Sequence, residues 1–145
     1  VASDDFTTGL WHNGFAMKTI FSKIISREIP AQFVYEDEHC VAILDVFPTT
    51  PGQTLIIPRT PTPYLFDLED DLYQHLLSVA KKIARALDIV FDTERTCLVV
   101  EGFEVPHAHI KLYPTTTPEL KITGGEKATE KTLIAHAQKI KRALK

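Results

Sequence analysis

The chain has 145 residues, 44% of them hydrophobic, with 16 Lys and Arg against 19 Asp and Glu for a net charge of -3. That is enough apolar material to bury one core and fits a single domain, and the near balance of charge removes the electrostatic argument for nucleic-acid binding. No apolar run approaches membrane-spanning length, and a start carrying Asp4 and Asp5 without a basic stretch does not read as a secretory signal, so a cytoplasmic protein with Cys40 and Cys97 as buried, reduced thiols is expected.

Residues 1–16 show neither helical nor strand period and are set apart as a flexible N-terminal extension; the domain proper runs over 17–145. Ser22 to Arg27 predicts a short helical turn stopped by Pro30. Phe33 to Glu36 and Cys40 to Asp45 predict an antiparallel hairpin, and Gln53 to Ile57 a third strand after the turn-rich Pro48 to Gly52. From Asp70 to Leu87 the apolar residues Leu72, Leu76, Val79, Ala80, Ile83 and Leu87 recur at spacings of three and four, which predicts a long amphipathic helix with His75 on its solvent side. Tyr73, Leu77 and Ala84 widen its apolar arc towards a second contact surface. Thr96 to Val100 and Val105 to Tyr113 predict two more strands joined around Gly102. Ala128 to Leu144 returns to helical period; its Lys and Arg residues could face a phosphate, or could solvate the helix and favour its C-terminal dipole, with His136 on the same side. The expected class is α+β: five antiparallel strands with helices on one side, among them a long central helix and a C-terminal helix.

The chemistry concentrates in Val105-Pro106-His107-Ala108-His109-Ile110-Lys111-Leu112-Tyr113-Pro114. Period-2 alternation presents His107, His109 and Lys111 on one face and Ala108, Ile110 and Leu112 on the other. Imidazole changes charge near neutral pH, so two of them on a rigid strand suit proton transfer, nucleophilic attack or metal ligation. His-x-His also occurs on solvated strands without function, and the flanking residues decide between these. Glu101-Gly102 precedes the run, and Thr19 to Ile25, Glu28-Ile29-Pro30-Ala31, Tyr35-Glu36-Asp37, Ala42 to Asp45 and Pro51 to Pro58 follow one another in a set order upstream.

These motifs together resemble the histidine triad (HIT) superfamily, in particular its purine nucleoside phosphoramidase branch and related bacterial proteins, over about Thr19 to Pro114. The resemblance implies a HIT-like fold, a homodimer built partly by the central helix, and a purine nucleotide as ligand. It places the nucleophile at His109, which would attack the α-phosphorus of a phosphoramidate or dinucleoside polyphosphate to give a covalent nucleotidyl-histidine that water then hydrolyses. His107 would support its tautomer and orientation through a hydrogen-bonded relay. Asp45 would accept the ribose hydroxyls, while Phe21, Ile24, Leu44 and Val46 would line the base cleft. Backbone amides near Gly102 and Glu104 would donate to the non-bridging phosphate oxygens.

Two positions depart from the pattern. Lys111 stands where the third histidine is usual and Gln53 where many members carry a fourth. A lysine is a fixed cation near neutral pH, able to neutralise a phosphate oxygen and to lower the pKa of His109 but not to shuttle protons; glutamine bonds without titrating. The expectation is therefore an active but altered nucleotide hydrolase or transferase. The alternative is a catalytically impaired nucleotide-binding module. A third reading, His107 and His109 as metal ligands, lacks an evident third partner, and Thr19 and Ser22 stand where some bacterial relatives carry a zinc-binding Cys pair. No metal or other cofactor is expected.

Overall fold

The structure, a computed structural model, describes residues 18–145 and, within the expected extension, the backbone of a ribbon in which β1 (Trp11–His12) pairs antiparallel with β2 (Phe15–Ala16). The remainder of the 1–16 extension lies outside the described residues, as do the side chains of that ribbon.

Helix α1 spans Ile20–Ile25, two residues earlier than the apolar pattern suggests. The shift comes from its cap: Thr19 accepts the Ser22 N–H while the Ser22 hydroxyl accepts the Thr19 N–H, a reciprocal pair that fixes the start. Strands β3 (Phe33–Glu36), β4 (Cys40–Leu44), β5 (Thr54–Pro58), β6 (Arg95–Val99) and β7 (Ile110–Thr115) form one antiparallel sheet in the order β3-β4-β5-β7-β6. Helix α2 covers Asp70–Phe91 and α3 covers Glu130–Leu144.

The sheet separates two cores. Cys40, Ala42, Leu44, Ile56, Ile110 and Leu112 point towards α2 and α3, where Leu76, Ile83, Leu87 and Ile140 are buried. Each of those large side chains contributes about 2 kcal/mol by leaving water. Val41, Ile43, Leu55 and Ile57 point the other way and meet Phe21 and Ile24 of α1. The expectation of helices on one side is thus corrected: α1 packs on the opposite face, because its two buried residues are three apart and need an apolar surface, which β4 and β5 supply through their alternate positions.

Helix α2 runs one turn beyond Leu87, ending where Asp92 takes a left-handed conformation with φ 46° and bonds back to Asp88. That extra turn carries Phe91 against the Pro51-Gly52 turn. Gly52 has φ +84°, a conformation that favours glycine, and a Cβ there would meet the Phe91 ring, which would have to shift. The turn before β5 is thereby pinned to the end of the long helix.

Candidate functional site

The site is assembled where β7 begins. Predicted strand Val105 to Tyr113 enters the sheet only at Ile110, whose cross-strand partner is Ile56. Upstream of it Pro106 has no N–H to offer a ladder, and the backbone is held instead by the Ala108 N–H donating to Thr62 O at 2.7 Å. The histidines therefore sit on an extended lead-in. Alternation still holds, with Ala108 in the helix-side core.

His107 is fully buried and bonded at both nitrogens: Nε2 lies 2.7 Å from Pro58 O, and Nδ1 lies 2.8 Å from the Thr19 hydroxyl. A carbonyl can only accept, so the network assigns the proton to Nε2 and makes Nδ1 the acceptor of the Thr19 hydroxyl. Burial lowers the pKa of His107 and His109 lowers it further, against the bond to Pro58, so the ring is held neutral. Its carbonyl then accepts the Nδ1–H of His109 at 2.8 Å. The contact to His109 is through the His107 backbone, and the His107 ring serves to anchor that backbone to β5 and to the cap of α1.

With Nδ1 carrying the proton, Nε2 of His109 keeps a lone pair, and nothing among the described residues hydrogen-bonds to it. The ring is 4% exposed and packs edge-on against Phe21 with centroids 4.8 Å apart. Burial lowers its pKa, the Lys111 charge adds to that, and the bond to His107 O, with Glu101 and Asp45, works the other way. A neutral imidazole with one free nitrogen can attack an electrophile or take a proton.

Lys111 follows on the same face, 8% exposed, between cross-strand neighbours Leu55 and Val99. Its Nζ is 2.7 Å from Glu101 Oε1, and burial of the carboxylate is outweighed by that bond and by the Phe103 N–H, which hold Glu101 below its ordinary pKa. Glu101 is a site residue that sequence reasoning passed over; its place two residues past Val99, the cross-strand neighbour of Lys111, was the available signal.

Asp45 leaves the end of β4 on the same face. Its Oδ1 accepts the Phe47 N–H and its Oδ2 the Gln53 amide, each at 2.8 Å. Gln53 is buried, and its Oε1 accepts the N–H and hydroxyl of Thr49, so it holds Asp45 from behind. Phe21 and Ile24 lie on this face, but Leu44 does not. Alternation along β4 turns Leu44 to the helix-side core and brings Ile43 to Phe21 and Ile24 instead. Counting back by two from Asp45 would have found Ile43. Leu44 lines, with Asp45, Gln53 and His136, a cavity of about 210 Å³ against α3. Val46 is half-buried, and Gly102 and Glu104 lie on the β6–β7 loop, with Glu104 exposed.

Three further side chains differ from expectation. His75 is not simply solvated: its Nε2 is 2.7 Å from Asp37 Oδ2. His136 packs on Phe91, centroids 5.0 Å apart, and burial lowers its pKa. Cys40 is buried, but Cys97 is only half-buried, beside Thr115. Asp37, Cys40 and His75 bring possible ligand atoms within 4.8 Å of one another. The Asp37 carboxylate already accepts from Tyr35, His75 and the N–H groups of His39 and Cys40, which marks a structural clamp of the β3–β4 turn. Where zinc-binding relatives use thiols, Thr19 and Ser22 offer hydroxyls that bond each other, α1 and His107, a donor set that does not suit zinc.

Comparison with known proteins gives one answer. The HIT domain matches residues 26–117. The purine nucleoside phosphoramidase of Escherichia coli is 40% identical over 103 residues, covering 67% of this chain and 87% of that protein. An uncharacterized HIT-like protein of Synechocystis is 49% identical over 77 residues, covering 51% of this chain and 68% of that protein. Among solved structures, a Hit-like protein involved in cell-cycle regulation from Bartonella henselae superposes with a TM-score of 0.79 at 28% identity, covering 87% of this chain and 96% of that one.

Proposed function

The chain belongs to the HIT domain family, and from that premise we propose that it is a nucleotide hydrolase or transferase acting at the α-phosphate of a purine nucleotide derivative. The observation that carries this reading is the bond from His109 Nδ1 to His107 O, which leaves Nε2 as the free nucleophile beside Lys111 and Asp45. In the first displacement the Nε2–phosphorus bond forms as the bond to the leaving group breaks, and an amine leaving group departs with a proton taken from solvent, which the second displacement returns. Water then cleaves the nucleotidyl-histidine to nucleoside monophosphate and free imidazole. Lys111 donates to the non-bridging oxygens and Asp45 accepts from the ribose. Phe21, Ile24, Ile43 and Val46 form the wall for the base, and Gly102 and Glu104 lie on the loop that approaches the phosphate. Phe21, edge-on to the His109 ring, is the aromatic side chain beside the nucleophile in this reading.

The test is mixing with adenosine 5′-phosphoramidate, followed by a quench in base or denaturant, which spares the acid-labile N–P bond, and mass spectrometry. A nucleotidyl group on His109, lost in His109→Ala, is the expected result; absence of adduct and of turnover with phosphoramidate, ADP and diadenosine polyphosphate sinks it. The 4% exposure of His109 favours one second reading, a module that binds nucleotide without turning it over, for which calorimetry would show binding and chromatography no product.

The protein works as a homodimer in this reading. Leu98 on edge strand β6 is 46% exposed, Tyr64 and Phe66 are exposed near Tyr73 and Leu77 on the second arc of α2, and Phe103 is exposed on the β6–β7 loop. An open strand edge beside an apolar patch is a surface that a second copy would cover. Light scattering should give twice the chain mass.

A further inference from the structure

Lys111 does not face the candidate phosphate position as a free cation. Its ammonium is 2.7 Å from Glu101, with the two side chains 10% and 14% exposed. The second Glu101 oxygen accepts the Phe103 N–H at 3.2 Å, a return bond made possible by Gly102, whose φ of +63° turns the chain back between them. Across the strands Lys111 has Leu55 and Val99 beside it, and neither can share charge. Glu101 is therefore built into the site, held by its own loop and not by chance contact.

The consequence is electrostatic. An ammonium has three donors; Glu101 takes one and leaves two for phosphate oxygens, so hydrogen bonding survives while the positive charge is cancelled. With Asp45 counted, the groups that act on His109 are two carboxylates and one ammonium. A site meant to draw in a polyphosphate would present the opposite balance.

We propose that Glu101 is a selectivity residue, which makes the site favour an α-phosphate whose leaving group bears no negative charge, such as an amine, over one whose leaving group is a further phosphate. The proposal rests on His109 being the point at which the α-phosphorus docks. A second phosphate brings at least one more negative charge close to a carboxylate that water screens weakly, and Coulomb repulsion at such range separates the two ligand classes by about tenfold or more.

Calorimetric titration of AMP and ADP against the wild-type protein, Glu101→Gln and Glu101→Asp reads this directly. Wild type should bind ADP about tenfold more weakly than AMP, Glu101→Gln should bring the two within about twofold, and Glu101→Asp should keep the wild-type ratio. Glutamine still accepts a hydrogen bond from Lys111, so a loss of AMP binding in Glu101→Gln, in step with ADP, would mean that Glu101 only positions the lysine and would overturn the proposal. So would a wild-type protein that binds both equally, a result that needs no variant to fold. Binding of both with the predicted ratio but no His109 adduct would retire the catalytic reading and leave the selectivity; binding of neither would remove both.

Discussion

The two ends of the alternating run are held by different physics. At its start, His107 and His109 are fixed by neutral hydrogen bonds to Pro58 O, His107 O and the Thr19 hydroxyl, all inside the protein. Four residues on, Lys111 is held by charge, through Glu101. Neutral bonds to buried carbonyls depend on shape and are indifferent to salt, whereas an ion pair at the edge of a site can trade one anion for another. The His109 end is rigid and the Lys111 end exchangeable, and both departures from the usual histidine pattern, Lys111 and Gln53, lie outside the rigid end, one paired with Glu101 and the other with Asp45.

Removing each end in turn should give effects of different kind. His109→Ala should lower turnover by about 10³ or more and abolish the adduct, with AMP affinity changed little, because it deletes a group used in the chemical step. Steady-state kinetics and calorimetry on the same preparation would show it, and a parallel loss of binding would erase the contrast. Lys111→Gln should lower kcat/KM by about tenfold to a hundredfold, chiefly through KM, since it removes charge-assisted bonds of roughly 1.5–3 kcal/mol made to substrate before and during reaction. That variant also strands the Glu101 carboxylate, so its stability should fall and recover in Lys111→Gln with Glu101→Gln.

Thr19→Val sharpens the comparison from the rigid end. It takes the donor from a fully buried ring nitrogen, at a cost of about 1–3 kcal/mol, and strips the cap of α1, worth about 1 kcal/mol more. Urea unfolding should report a loss of that order, and kcat should fall while KM for phosphoramidate stays near wild type. Thr19→Ser keeps the hydroxyl and should hold both near wild type; a loss in Thr19→Ser equal to that in Thr19→Val would mean that the hydroxyl bond to His107 does not by itself carry the effect.

Much of this was legible before any coordinates. The period-2 run set His107, His109 and Lys111 on one face and Ala108 in the core, and spacings of three and four located α2 from Leu72 to Leu87, because those patterns follow from burying one side of an element. What escaped was set by partners far away in sequence. The Thr19 bond to His107 spans 88 residues, His75 is oriented by Asp37, and Glu101 meets Lys111 only because β6 and β7 pair in one register. The resemblance implies Leu44 in the base wall, whereas a count of two along the strand from Asp45 selects Ile43. The side of the sheet that α1 covers was invisible for a related reason: a six-residue helix with two buried anchors carries no signal about which face will receive it.

The mildest test uses pH and no mutation. His107, His109 and His136 are all held below the ordinary histidine pKa, in each case first by burial. A lowered folded-state pKa means that the unfolded chain binds protons more readily, so stability rises with pH through this interval: the contribution is complete above the unfolded value of about 6.5 and is lost as pH falls below it, until the folded rings protonate in turn. The denaturation midpoint should therefore be flat from pH 7 to 8 and decline below about 6.5. In the same window the acid limb of kcat/KM should lie below that of free imidazole, because His109 stays neutral and nucleophilic where a solvated histidine would already be protonated. Salt should not move either midpoint much, as the cause is desolvation and not a distant charge; a strong salt dependence would mean that the Lys111 and Glu101 charges govern His109, and the rigid end would prove as adjustable as the other.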